Sequence, residues 1–156
     1  MPRRLGEQIV RKVPLLGEAE EVRHAVRRIV DAGVPALPVV DGEAKLAGIF
    51  GEREFIGAIF PGYLGELSYA GFVSEKAEET LERRATCLGD PVSKYMNTEH
   101  IEVGGDWSDA QLAETFLHHR VLIVPIVEDG QVAGVVTRWD FFKALVEEAL
   151  GASSNS

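Results

Sequence analysis

The sequence predicts a mixed α/β (α+β) fold in which two β-α-β-β-α units pack as one pseudo-symmetric module. Three observations carry this. The stretch GIFGERE at 48–54 returns as GVVTRWD at 134–140, eighty-six positions later. Each copy begins in the second of two short β-rich runs joined by a Gly-containing turn, the pattern of a hairpin. Each hairpin is flanked by segments with helical periodicity, and a single unit of about sixty residues buries too little surface to stand alone.

The elements follow in chain order. VPLL (13–16) and IEV (101–103) supply a first short strand to each unit. Val22, Ala25, Val26, Ile29 and Val30 recur at helical spacing, and Gly33 stops that helix. In the second half Leu112, Ala113, Phe116 and Leu117 do the same behind SDAQ (108–111), a Ser-x-x-Gln capping box. The hairpins are LPVV to LAGIF across DGEAK (41–45), and VPIV to VAGVV across EDGQ (128–131). Pro38 aligns with Pro125 at an offset of 87 and Gly48 with Gly134 at 86, so the slip of one residue falls in the turn. Closing helices are expected over 52–60 and 138–150, the latter with Phe141, Phe142, Leu145, Val146 and Ala149 on its apolar face.

The expected organisation is a first repeat at 8–60, a helical insertion at 61–90, a second repeat at 91–150 and a mobile tail at 151–156. The insertion opens on a Pro-Gly turn. A helix then follows with Ala77, Leu81, Ala85 and Leu88 on one face and Glu79 placed to meet Arg83. Its aromatics Tyr63, Tyr69 and Phe72 can cover the core or a partner.

Composition excludes several classes of function. A net charge of −9 opposes nonspecific attraction to phosphate backbones, so nucleic acid is not an expected partner. A small anionic ligand stays open, because a few local cations and amides can reverse the potential inside one pocket. The single cysteine, Cys87, allows no intramolecular disulfide and suits a reducing compartment. No segment approaches the roughly 18 apolar residues of a membrane helix, and the N-terminus lacks the apolar run of a secretory signal. A cytoplasmic protein with no membrane partner is expected. His118 and His119 are adjacent, so they point apart on a helix and make no metal pair; no metal is expected. Neither a nucleophile with a paired base nor a Walker-type loop is visible, which argues against an enzyme.

The two repeats resemble the cystathionine-β-synthase domain (CBS domain), which usually occurs as a tandem pair. The second carries the likeness strongly, from a Met-Thr-like start near Met96 to the Gly-x-x-Thr-x-x-Asp of Gly134, Thr137 and Asp140. The first is similar in hydrophobic layout but has Gly51 opposite Thr137 and Glu54 opposite Asp140. The resemblance implies a regulatory module that binds an adenine nucleotide (AMP, ADP or ATP) in clefts between repeats and needs no other cofactor. It implies that Thr137 contacts phosphate, that Asp140 contacts the ribose hydroxyls, and that backbone over Leu122, Ile123, Val124 and Pro125 cradles the base. Met96 and Ile101 would line the adenine side. A homodimer and an effector protein are the implied partners.

The chemistry of these residues supports such roles. Thr137 and Asp140 fall where a strand gives way to a helix, and the first amides of a helix favour an anion. Gly134 permits close backbone approach. A short carboxylate accepts hydrogen bonds from two vicinal hydroxyls. Arg138 is the nearest cation for phosphate, with His118, His119, Arg120 and Lys143 in reserve. Thr-x-x-Asp is equally a capping box that binds nothing. Trp107 and Trp139 are expected to pack, although Trp139 flanks the motif and can stack. The expectation is therefore one nucleotide per chain, at the second repeat. The alternative is a ligand-independent interaction module whose pockets have decayed.

Overall fold

The computed structural model describes residues 5–60, 85–99 and 101–154. Most of the expected insertion, with Tyr63, Tyr69, Phe72, Glu79 and Arg83, lies outside the described residues. At its end Ala85–Gly89 form a 3-10 turn instead of the last turn of an α-helix.

The first repeat runs β1 (Leu16–Gly17), α1 (Val22–Ala32), β2 (Ala36–Val40), β3 (Leu46–Gly51) and α2 (Glu52–Ile59). The second runs β4 (Val103–Gly104), α3 (Asp109–His118), β5 (Ile123–Glu128), β6 (Gln131–Thr137) and α4 (Arg138–Ser154). Each repeat holds a three-stranded sheet whose first strand is parallel to the second and whose second and third form the antiparallel hairpin. Both first strands are only two residues long and begin later than VPLL and IEV imply, because pairing is confined to Leu16–Gly17 and Val103–Gly104.

Local chemistry sets the boundaries. Gly33 ends α1 in the left-handed conformation (φ 69°), donating to the carbonyls of Ile29 and Val30. Ser108 Oγ accepts from the Gln111 amide at 3.1 Å, as the capping box predicts. Asp129 and Gly130 both take positive φ (53° and 79°) in the two-residue turn between β5 and β6, which suits the twist of a hairpin. In the first hairpin Asp41 Oδ1 instead accepts from the amides of Glu43 and Lys45, closing a longer loop. The helix α4 continues to Ser154, four residues into the segment expected as tail, since nothing in Gly151–Ser154 breaks a helix already propagating.

Each sheet packs on its own helices. Leu16, Val22, Ala25, Ile29, Leu37, Val39 and Phe50 make the first core; Val103, Trp107, Leu112, Val124, Ile126, Val136 and Phe141 make the second. Between them Ala36 and Ile49 meet Ile123 and Val135, so the hairpins face each other across a third cluster.

The segment leading into each repeat docks on the other repeat. Arg11 exchanges two backbone hydrogen bonds with Val135 of β6 (2.8 and 2.9 Å). Asn97 does the same with Ile49 of β3 (2.8 and 3.0 Å). Arg11 and Asn97 stand eighty-six positions apart, as do Ile49 and Val135, so one pseudo-twofold relates both crossings. Gly48 and Gly134 are the contact points. A Cβ on Gly134 would stand 2.7 Å from the Arg11 carbonyl, and one on Gly48 2.9 Å from Met96 Sδ.

Candidate ligand site

Strand β6 ends at Thr137 and α4 begins at Arg138, whose amide donates to the Leu122 carbonyl at 3.0 Å and ties the junction to the head of β5. Thr137 and Asp140 are both buried. Thr137 Oγ1 accepts from the Asp140 amide at 3.1 Å, so the threonine caps α4. The Asp140 carboxylate is held from outside its own repeat. Arg11 Nε donates to Oδ2 at 2.6 Å and Nη2 to Oδ1 at 3.1 Å, while Lys143 Nζ stands 3.6 Å from Oδ1. The hydrogen bonds from Arg11 hold the Asp140 carboxyl below the ordinary carboxylate range despite its burial, with Thr137 and Lys143 acting in the same sense. Asp140 in turn raises the Arg11 guanidinium further.

Beside this junction lies a cavity of about 530 Å³, within the range of small-molecule sites. Leu122, Thr137, Arg138, Trp139, Asp140 and Phe142 line it from the second repeat; Gly33 and Pro35 line it from the first, and Arg11 from the N-terminal segment. It therefore sits between the repeats. Trp139 is 64% exposed and its ring centroid lies 5.6 Å from that of Phe142, so it forms a wall rather than packing inside, whereas Trp107 is buried as expected.

Of the residues singled out by sequence, Leu122, Thr137, Arg138 and Asp140 meet at this cavity. Ile123, Val124 and Pro125 are buried along β5, the first two in the inter-repeat and second cores, and Gly134 is buried against Val10 and Arg11. Met96 is not brought to Thr137 and Asp140. It packs on the first core at Gly48, because the crossing of the leading segments carries it to the opposite repeat. Ile101 is half-buried and does not line the cavity either. Lys143 reaches Asp140, whereas Arg120 faces the other repeat's pocket, and His118 and His119 are exposed and line neither. The sequence reading missed Arg11, Gly33, Pro35 and Phe142. The repeat offset offers a signal for Arg11, since it occupies in the first repeat the place that Asn97, next to Met96, holds in the second.

The pseudo-equivalent place in the first repeat differs. Its cavity is about 30 Å³, room for little more than a water. A Cβ on Gly51 would stand 2.3 Å from Ala36 Cβ and 2.4 Å from the Pro35 carbonyl, so the Thr137 position cannot carry a side chain here. Arg53 donates to the Arg120 carbonyl across the gap. Burial pushes the Glu54 carboxyl upward, the opposite of Asp140. Among the described residues there is no His/Cys/Asp/Glu group arranged to hold a metal, and no helix is long and apolar enough to cross a membrane.

Comparison with known proteins places these features in context. The model of the CBS domain matches residues 7–61 and 92–147. An uncharacterized protein of Methanocaldococcus jannaschii is 27% identical over 144 residues, covering 92% of this chain and 32% of that protein, so the chain spans about a third of that relative's length. Among solved structures, a protein of the same organism proposed to be an archaeal homolog of g-AMPK superposes with a TM-score of 0.70 at 24% identity, over 91% of this chain and 50% of that one. CBSX2 in complex with AMP superposes with a TM-score of 0.68 at 17% identity, over 95% of this chain and 99% of that one. At these identities the structural likeness is one of fold.

Proposed function

Because the chain belongs to the CBS-domain family, with a repeat matched in each half, we propose that it is a non-catalytic regulatory module that binds an adenine nucleotide (AMP, ADP or ATP) at its second repeat. The observation that carries this reading is the inter-repeat cavity of about 530 Å³, on which Thr137, Asp140, Arg138 and Arg11 converge beside an exposed Trp139. A carboxylate for ribose hydroxyls, two guanidiniums and a helix start for phosphate, and an aromatic wall for a base are the groups a nucleotide requires. The collapsed first-repeat pocket supports a stoichiometry of one per chain. CBSX2 was solved with AMP, which supports the choice of ligand class.

The output passes through another chain. Val30, Ile56, Leu117, Trp139 and Leu150 are more than half exposed, and this apolar surface supports a homodimer or an effector protein that docks on the helices. The setting we propose is the cytoplasm.

The test is urea unfolding of wild type and a Thr137→Ala/Asp140→Ala double variant with AMP, ADP or ATP. A ligand at a hundred times its Kd adds about 2.7 kcal/mol to wild type if it binds only the folded chain. The gain should vanish in a folded double variant. A specific observation favours one other reading: Thr137 caps its own helix and Arg11 already pairs with Asp140, so the motif is satisfied within the chain. No stabilisation by any of the three nucleotides would select that reading, a module that acts through protein contacts alone.

A further inference from the structure

Asp140 has one carboxylate and two claimants, Arg11 and a ribose. Arg11 takes one oxygen through Nε and the other through Nη2. The side chain is almost fully buried, so with Arg11 on both oxygens vicinal ribose hydroxyls compete with it for access to the same carboxylate. The two partners are held differently. The Asp140 side chain is 7% exposed and fixed at the start of α4, whereas that of Arg11 is 43% exposed and borders the cavity. The Arg11 backbone is anchored by its paired hydrogen bonds to Val135, so the guanidinium can swing while its base stays in register.

We infer that Arg11 makes this site select phosphorylated over unphosphorylated nucleosides, by yielding Asp140 to the ribose and taking the phosphate in exchange. The inference rests on the reading of this cavity as a nucleotide site. A nucleoside that claims Asp140 leaves the guanidinium with only water in place of its anion. A nucleotide brings the replacement anion with it, on the wall where Arg11 and Arg138 both lie. Such an exchange is closed to the first repeat, where neutral Asn97 holds the corresponding position and the pocket is collapsed.

The test is calorimetric titration of wild type, Arg11→Ala, Arg11→Gln and Arg11→Lys with adenosine and with AMP. In Arg11→Ala, AMP should weaken while adenosine tightens, so that their affinity ratio falls by about tenfold or more. Arg11→Gln keeps the stem and the backbone bridge and should show the same loss of preference. Arg11→Lys keeps the charge but not the paired donors and should lie between. If both ligands weaken by the same factor in Arg11→Ala and Arg11→Gln, Arg11 is structural and the inference is overturned while the nucleotide site stands. If wild type binds neither adenosine nor any of AMP, ADP and ATP, the nucleotide reading falls and this inference with it.

Discussion

Replacing Gly134 by alanine probes the crossing that brings Arg11 to the site. The added Cβ would stand 2.7 Å from the Arg11 carbonyl and 2.7 Å from Val10 Cγ1. Val10 can rotate, but that carbonyl accepts the Val135 amide at 2.9 Å and cannot retreat without breaking the bridge. Overpacking of this kind costs about 1–3 kcal/mol. Alanine in a strand regains about 0.5–1 kcal/mol of backbone entropy over glycine, which leaves a net loss of about 1–2 kcal/mol. Gly48→Ala is the internal control. Its nearest neighbour is the thioether of Met96 at 2.9 Å, a flexible end that can move, although the Asn97 carbonyl stands at 3.0 Å. Its net cost should lie within about 1 kcal/mol of zero. With a urea slope of about 2 kcal/mol/M, the midpoint of Gly134→Ala should fall by about 0.5–1 M, and that of Gly48→Ala should move by less than about 0.5 M in either direction. Exchange of the Arg11 and Val135 amides should quicken only in Gly134→Ala. Equal midpoints, or a Gly134→Ala protein as stable as wild type, would refute this account of the crossing.

Other outcomes follow from the same geometry. Thr137→Ala should lose about 1 kcal/mol by removing the cap on the Asp140 amide, whereas Thr137→Ser should keep most of it; urea midpoints decide this. Asp140→Asn should cost about 1–2 kcal/mol at neutral pH, a range discounted for the exposure of Arg11. Because the folded carboxyl is held below its ordinary range, its stabilisation is complete above about pH 4 and is lost as pH falls through the folded value, so the gap between wild type and variant should close in acid. A gap of constant size from pH 7 to 3 would contradict the assignment. Restoring the motif in the first repeat by Gly51→Thr with Glu54→Asp should not create a second site; with Cβ contacts of 2.3 and 2.4 Å it should destabilise by about 3 kcal/mol or more, and a calorimetric stoichiometry of two would contradict this.

The repeat plan was legible because each period is written locally. Helical spacing from Val22 to Val30, the stop at Gly33, the box at Ser108 and the Asp-Gly turn at 129–130 each encode their own backbone. The candidate site was legible where it lies on one continuous stretch, the β6 to α4 junction of Thr137, Arg138 and Asp140, except for Phe142, whose helical spacing reads only as an apolar face. What else escaped was delivered from a distance. Arg11 lies 129 residues before Asp140, and Gly33 and Pro35 belong to the other repeat. No local pattern says which sheet a leading segment will join, so Met96 was assigned to its own repeat when it serves the opposite one. The small first-repeat pocket was foreshadowed by Gly51, but its cause, the approach of Pro35 and Ala36, is a tertiary fact.

The crossing of the leading segments also orders the chain in time during synthesis. Val10 and Arg11 leave the ribosome before their partner Val135, which is made more than a hundred residues later. The first repeat can form its hairpin and helices locally, but its face at Gly48 waits for Met96 and Asn97. Contacts of such sequence separation carry a loop-closure cost before any reward and slow the final step. A chain halted between the repeats would expose Ala36 and Ile49, the half of the central cluster that nothing yet covers. Completion of β6 is therefore the event that lets the central cluster and the Arg11 crossing close together.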